Sequence, residues 1–285
     1  MKKILIALAF VLGSITAHAE TAAPASVEVG GVTLPQHLTA LPDDIFYADK
    51  AVARAHIDYI PGDEKTYYYD IKGNKTAQPA SGGYYRKVLG KTADGRTVVQ
   101  DFYRDNNQPQ MAPLILRKDA AEDDFSNTTA DSPLITYTRE GAVLTITPVH
   151  AGKPGRNHYY DKGRLVMQTI LPEGASETDD PYPELRALAK THGRMYYPNG
   201  RVLGIVPQNV VGEGISAIYR ADGTLLMTLE KNGARKHMTF WSPNGGSLIK
   251  TTPAYNQAVQ ELKNLEPLTR KIGERLEQLK KSYEQ

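Results

Sequence analysis

The chain has no cysteine, which excludes disulfide frameworks, Cys-ligated zinc modules, iron-sulfur clusters and thiol catalysis. It has one Trp and five Phe beside 17 Tyr, so most of its aromatic side chains carry a hydroxyl. After Ile15 no apolar run approaches the roughly 20 residues that cross a bilayer, so no transmembrane segment is expected in the mature chain. An excess of one charge is missing too. The 34 basic and 32 acidic side chains leave +2, and Lys2 and Lys3 account for that surplus. Neither nucleic acid nor an anionic membrane is therefore expected as the main partner.

Chemical signatures are also sparse. His37, His56, His150, His158, His192 and His237 form no His-x-His, no His-Glu-x-x-His and no pair one helical turn apart, so no metal site is assigned. No Gly-x-Ser-x-Gly elbow and no phosphate-binding loop appears. No catalytic residue and no cofactor is assigned. Two carboxylates for sugar hydrolysis would be close only in space, which keeps a glycan hydrolase as an alternative.

What is there begins with a leader. Met1-Lys2-Lys3, the apolar stretch Ile4 to Ile15 and Ala17-His18-Ala19 before Glu20 have the three parts of a secretory signal peptide. Residues 1–19 are read as that signal, which places the mature protein in the periplasm, with secretion beyond it as a further route. A cysteine-free chain avoids mispairing in such an oxidising compartment.

Glycines then keep a beat. Gly141, Gly152, Gly163 and Gly174 are 11 apart, and Gly200, Gly212, Gly223, Gly233 and Gly245 follow at 12, 11, 10 and 12. Several sit in Asp94-Gly95, Asn199-Gly200, Asp222-Gly223, Asn232-Gly233 and Asn244-Gly245, which predict tight hairpin turns with positive φ at both central positions. Between them run strand-like segments such as Ala142 to Val149, Arg164 to Leu171, Thr224 to Leu229 and Arg235 to Trp241. Turns this frequent leave no room for parallel crossovers. The prediction is a mostly β fold, an open, elongated antiparallel β-meander over 66–252.

Aromatic pairs precede several turns: Tyr159-Tyr160, Tyr196-Tyr197 and Phe240-Trp241, with Ile218-Tyr219 as a variant. Adjacent strand residues face opposite sides, so one ring of each pair is expected inside and the other on the outer face. Both stripes could serve packing alone. As a binding stripe, the second members Tyr160, Tyr197, Tyr219 and Trp241 are the candidate contacts, since Tyr and Trp offer flat apolar area with a polar tip.

At these residues the chain resembles the MORN repeat (membrane occupation and recognition nexus) in its divergent bacterial form, found in exported proteins and in a group termed antitoxins. Asn232 to Leu248 carries the fullest likeness, Gly152 to Val166 a second, and Asn199 to Gly223, with Gly212-Glu213-Gly214, a third. Met238 stands where the repeat usually has Gly. The resemblance implies an open sheet used for contacts with proteins or lipids, and no catalytic residues.

Two stretches interrupt the beat. Arg117 to Pro133 is polar and acidic and is expected to be a solvated loop. Gly174 to Thr191 places Asp179-Asp180 ahead of a short helical piece around 184–190. Residues 20–65 are expected to be a leader and cap over the first edge of the sheet. From Ala254 on, Val259, Leu262, Leu265, Leu268, Ile272, Leu276, Leu279 and Tyr283 recur at steps of three and four, an amphipathic helix within 253–285 that Pro267 should break or kink. That helix either covers the last strand or pairs with a partner helix of another chain. Together these readings favour a non-enzymatic binding or scaffolding module of the cell envelope that contacts protein, peptide or glycan. An immunity or antitoxin protein covering a toxin surface is the alternative.

Overall fold

A computed structural model of the chain describes residues 25–126, 129–150, 152–175, 180–209 and 213–284. The leader 1–19 lies outside them. The fold is a mostly β, antiparallel meander closed by a C-terminal helix. Its first sheet holds β3 (Ile60–Tyr69), β4 (Lys75–Thr76), β5 (Tyr84–Lys91), β6 (Thr97–Tyr103) and β7 (Leu114–Ile115) in the order β4-β3-β5-β6-β7. Nine strands make the second: β8 (Leu134–Tyr137), β9 (Val143–Thr147), β12 (His158–Asp161), β13 (Arg164–Gln168), β14 (His192–Tyr196), β15 (Val202–Pro207), β16 (Gly214–Tyr219), β17 (Leu225–Asn232) and β18 (Arg235–Phe240). They lie side by side in chain order. β10 (Val149–His150) and β11 (Lys153–Pro154) form a small hairpin between β9 and β12. A bridge between Met111 and Thr136 carries the meander from the first sheet into the second.

The recurring turn differs from the one expected. Asn199, Asp222 and Asn244 keep negative φ, while Gly200, Gly223 and Gly245 take φ of +80°, +87° to +93° being the span of the last two. At Gly223 the glycine N–H bonds Arg220 O at 2.9 Å and Arg220 N–H bonds Thr224 O at 2.7 Å. This is a type I turn closed by one left-handed residue, the three-residue hairpin loop. Positive φ at both central positions occurs in Gly30-Gly31, which joins β1 (Ser26–Val29) to β2 (Val32–Pro35), and in Lys162-Gly163.

Bulges just ahead of these turns reset the side-chain alternation. The register shifts between Tyr159 and Tyr160, between Met195 and Tyr196, and between Ile218 and Tyr219. A bulge places two residues opposite one, so the equivalent ring is set by its distance to the turn rather than by its place in the dipeptide. Tyr69, Tyr137, Tyr196, Tyr219 and Trp241 all stand four residues before a positive-φ glycine.

One face of the second sheet is covered by the N-terminal segment, a correction to its expected place on the first sheet edge. After the β1–β2 hairpin the chain runs across the row of turns as a strap. Gln36 Nε2 donates to Gly245 O at 3.0 Å, Leu38 N–H to Gly223 O at 2.9 Å, Leu41 N–H to Gly200 O at 2.9 Å and Ala48 N–H to Gly163 O at 2.9 Å. The strap ends in the short helices α1 (Asp43–Phe46) and α2 (Ala48–Arg54). Beneath it lies the largest core cluster, including Leu34, Leu38, Phe46, Leu165, Tyr196, Val202, Ile205 and Leu225.

The opposite face carries α3 (Pro253–Glu284), an uninterrupted helix that contains Pro267 rather than breaking there. Ala258 packs with Leu226, Met227 and Phe240, and Ile272 with Tyr197 and Leu203. Arg220 Nε bonds Glu261 Oε2 at 2.7 Å, and Arg275 Nε bonds Asp161 Oδ1 at 3.0 Å. The apolar stripe is thus spent on the sheet as far as Ile272. The side chains of Leu276, Leu279 and Tyr283 lie outside what is described.

The acidic stretch after Arg117 is likewise held down. Arg86 and Asp101, both about 1% exposed, form a two-pronged pair at 2.7 and 2.8 Å, and Arg86 Nη1 donates to Asp124 O at 2.6 Å. Phe125 stacks on Tyr69 with ring centroids 4.2 Å apart. A sequence-local view sees only the acids; the guanidinium that anchors the loop comes from β5.

Candidate functional site

Tyr160 and Tyr219 are buried under the strap, Tyr197 is buried under α3, and Trp241 is half-buried at the strap face. The four candidate contacts therefore do not form one outward stripe. Their polar tips are used internally: Tyr160 OH donates to Ile45 O at 2.8 Å, Tyr219 OH to Pro35 O at 3.1 Å, Tyr197 OH to Tyr219 O at 2.8 Å and Trp241 Nε1 to Thr228 Oγ1 at 3.1 Å. Burial pushes the phenol pKa values of Tyr160, Tyr197 and Tyr219 up. The extended peptide that crosses this aromatic row is the chain's own strap.

A concave site lies at the strap's far end. Between α1–α2 and strands β9, β12 and β13 the fold forms a half-open cleft of about 460 Å³, within the range of small-molecule pockets. Ile45, Ala51 and Ala55 form its helical wall together with the exposed Asp44–Arg54 ion pair, and Ile146, Pro148 and Leu171 much of the sheet side. Its polar end comprises Arg156, His158, Gln168 and Asp180.

That polar end is a product of register. Direct cross-strand pairing sets Ile135, Ile146, His158, Gln168, Arg194, Ile205 and Ala217 in one row. Both ends of the row are aliphatic and its middle is polar, although all three polar members are buried. An apolar core that accepts three adjacent polar residues must satisfy each, because an unpartnered buried polar group costs about 1–3 kcal/mol.

Satisfaction is achieved by a relay. Tyr196 OH donates to Gln168 Oε1, Gln168 Nε2 donates to His158 Nε2 at 2.6 Å, and His158 Nδ1–H donates to Ile146 O at 3.1 Å. This arrangement fixes the imidazole neutral. Burial pushes its pKa down to about 4, and burial pushes the Tyr196 phenol up to about 12. Arg194 grips Asp180 with two bonds of 2.8 and 2.7 Å, Arg156 Nη2 reaches the same carboxylate at 3.4 Å, and Tyr182 N–H adds a bond at 2.9 Å. Burial opposes the charge on Asp180, yet the guanidiniums of Arg194 and Arg156 and the Tyr182 amide hold its carboxyl below the usual range. The 3-10 turn Pro183–Leu188 follows directly, and Leu185 and Leu188 bury it against the core.

No protein-family model matches the chain, and no curated protein matches it.

The site is only partly legible in the sequence. Asp180 stands out there as part of Asp179-Asp180, but its partners are 14 and 24 residues away. His158, Gln168 and Arg194 did carry a signal: each is a polar residue at an inward strand position. Among the described residues no three His, Asp or Glu side chains are grouped to hold a metal ion, and no helix is long and apolar enough to cross a membrane.

Proposed function

We propose that this protein is a non-catalytic binding module of the cell envelope whose small, largely apolar ligand sits in the cavity beneath α1–α2. The supporting observation is a half-open, largely apolar cleft of about 460 Å³ whose inner end is built from a buried, fixed set of polar side chains. Preformed pockets of this character, with few polar groups that orient the ligand, are the usual small-molecule sites. Binding is favoured over hydrolysis by the state of the titratable groups. A general acid needs a raised carboxyl pKa, whereas Asp180 is held low by its guanidinium partners. A general base needs a free lone pair, and the His158 Nε2 lone pair accepts from Gln168.

The leader at residues 1–19 supports an envelope address, and the hairpin pattern supports the likeness to MORN repeats as binding scaffolds. Contact with protein, peptide or glycan through the aromatic row is disfavoured, since the strap and α3 occupy the rings proposed for it.

Native mass spectrometry of protein isolated from envelope tests the reading. The expected spectrum shows a small molecule travelling with the chain, lost on Ala51→Trp, which fills the helical wall without touching the relay. Retention of the same adduct by a folded Ala51→Trp variant, or no adduct on the unaltered protein, would refute the cavity as the site.

A further inference from the structure

Among the described residues the meander leaves a strand edge open at each end. The outer side of β18 is covered, among the described residues, only at its close, where Leu248 N–H donates to Phe240 O at 2.8 Å and Ser247 bridges Trp241. Backbone groups of alternate residues share a side in an antiparallel pair, so Met238 and Lys236 direct theirs to the same outer edge. Residues Arg235 to Met238 are exposed there, Met238 at 45%. At the other end, β4 pairs with β3 only at Tyr68 and Tyr69. The rest of β3, Ile60 to Thr66, is exposed, with Ile60 at 67%, and its register against β5 shifts between Pro61 and Lys65, so that Asp63 and Glu64 stand out from the ladder in a bulge.

The two edges carry opposite charge. β18 presents Arg235, Lys236 and His237; β3 presents Asp63 and Glu64, while its Lys65 is drawn to Glu122 at 2.9 Å. Glu64 lies 4.0 Å from Lys87 and stays 78% exposed on its side chain. Charges on edge strands normally prevent pairing. Here they disfavour like edges and favour unlike ones, since opposite charges across strands attract.

We propose that the protein associates with a second copy of itself head to tail, β18 of one copy adding to β3 of the next. Such a contact is heterologous, so it repeats until it closes into a ring or extends as an array. Because its attraction is between exposed charges it weakens with salt, as the screening length shrinks to about 8 Å at physiological ionic strength. It is independent of what the cavity binds.

Sedimentation velocity over a concentration series, at low and high salt, tests this. The expected result is a species larger than the monomer that grows with concentration and recedes with salt. Lys236→Glu and Glu64→Lys, both at exposed positions, should each leave a monomer with unchanged circular dichroism, and an equimolar mixture of the two variants should associate again. A monomer across the whole low-salt series overturns the proposal, as does association that neither substitution weakens.

Discussion

Gly223 offers the sharpest handle on the strap. Its φ is +93°, where a side chain costs about 1–2 kcal/mol through contact with its own backbone. A Cβ there would also stand 2.2 Å from Leu38 O and 2.8 Å from Arg201 Nη1. Ordinary contact begins near 3.4 Å, so the strap must retreat by more than an ångström. Retreat breaks Leu38 N–H to Gly223 O at 2.9 Å and Leu225 N–H to Gln36 O at 2.9 Å, and it strains Arg201 Nη1 to Leu38 O at 3.0 Å. Each such bond contributes about 0.5–1.5 kcal/mol net. Gly223→Ala should therefore cost about 3–5 kcal/mol in total. Gly95→Ala is the control: φ is +83° and nothing lies within 4 Å of its Cβ, so only the conformational cost of about 1–2 kcal/mol applies. Urea unfolding of both variants reads the difference. Equal losses would show that the strap does not bear on the turn at Gly223.

Two further perturbations probe the buried polar groups. His158 binds a proton less readily when folded, at about 4 against 6.5, so between these values the unfolded chain holds more protons and stability falls as pH falls from 6.5 toward 4. The loss amounts to roughly 3 kcal/mol; His158→Gln should flatten that part of the stability profile relative to the unaltered protein, and an unchanged slope would contradict the neutral relay. Asp101→Ala strands the Arg86 charge and should cost about 3–5 kcal/mol, with new proteolytic cuts in 118–126; an intact loop under limited proteolysis would contradict the anchoring role of the pair.

The strands, the turn positions other than Gly212, which lies outside the described residues, and the terminal helix are legible because each depends on a local period: hairpin glycines about eleven residues apart, and apolar steps of three and four from Val259 to Ile272. The facing of the rings is not. Tyr197 was grouped with Tyr160 and Tyr219 because each is second in its pair, yet the bulge at Met195/Tyr196 makes Tyr196 the equivalent ring and turns Tyr197 toward α3. A one-residue register change reverses the face of every later side chain, and no local composition records it. The cavity was hidden for a different reason. Its walls come from 44–55, 133–171 and 180–181, and they meet only because the strap returns over the sheet. The turn at Asp222-Gly223 is legible in its dipeptide; the strap carbonyl that packs against it, Leu38 O, is not.

The claim that a ligand occupies the chamber under α1–α2 is tested most directly by methyl-resolved NMR of the protein titrated with the small-molecule fraction of an envelope extract. Ile45, Ile146 and Leu171 line the chamber, whereas Leu226 lies under α3 and Val99 in the first sheet. The account predicts that the first three methyl sets shift together and saturably while the last two hold still. Shifts at Leu226 or Val99 with Ile45, Ile146 and Leu171 unmoved would contradict it.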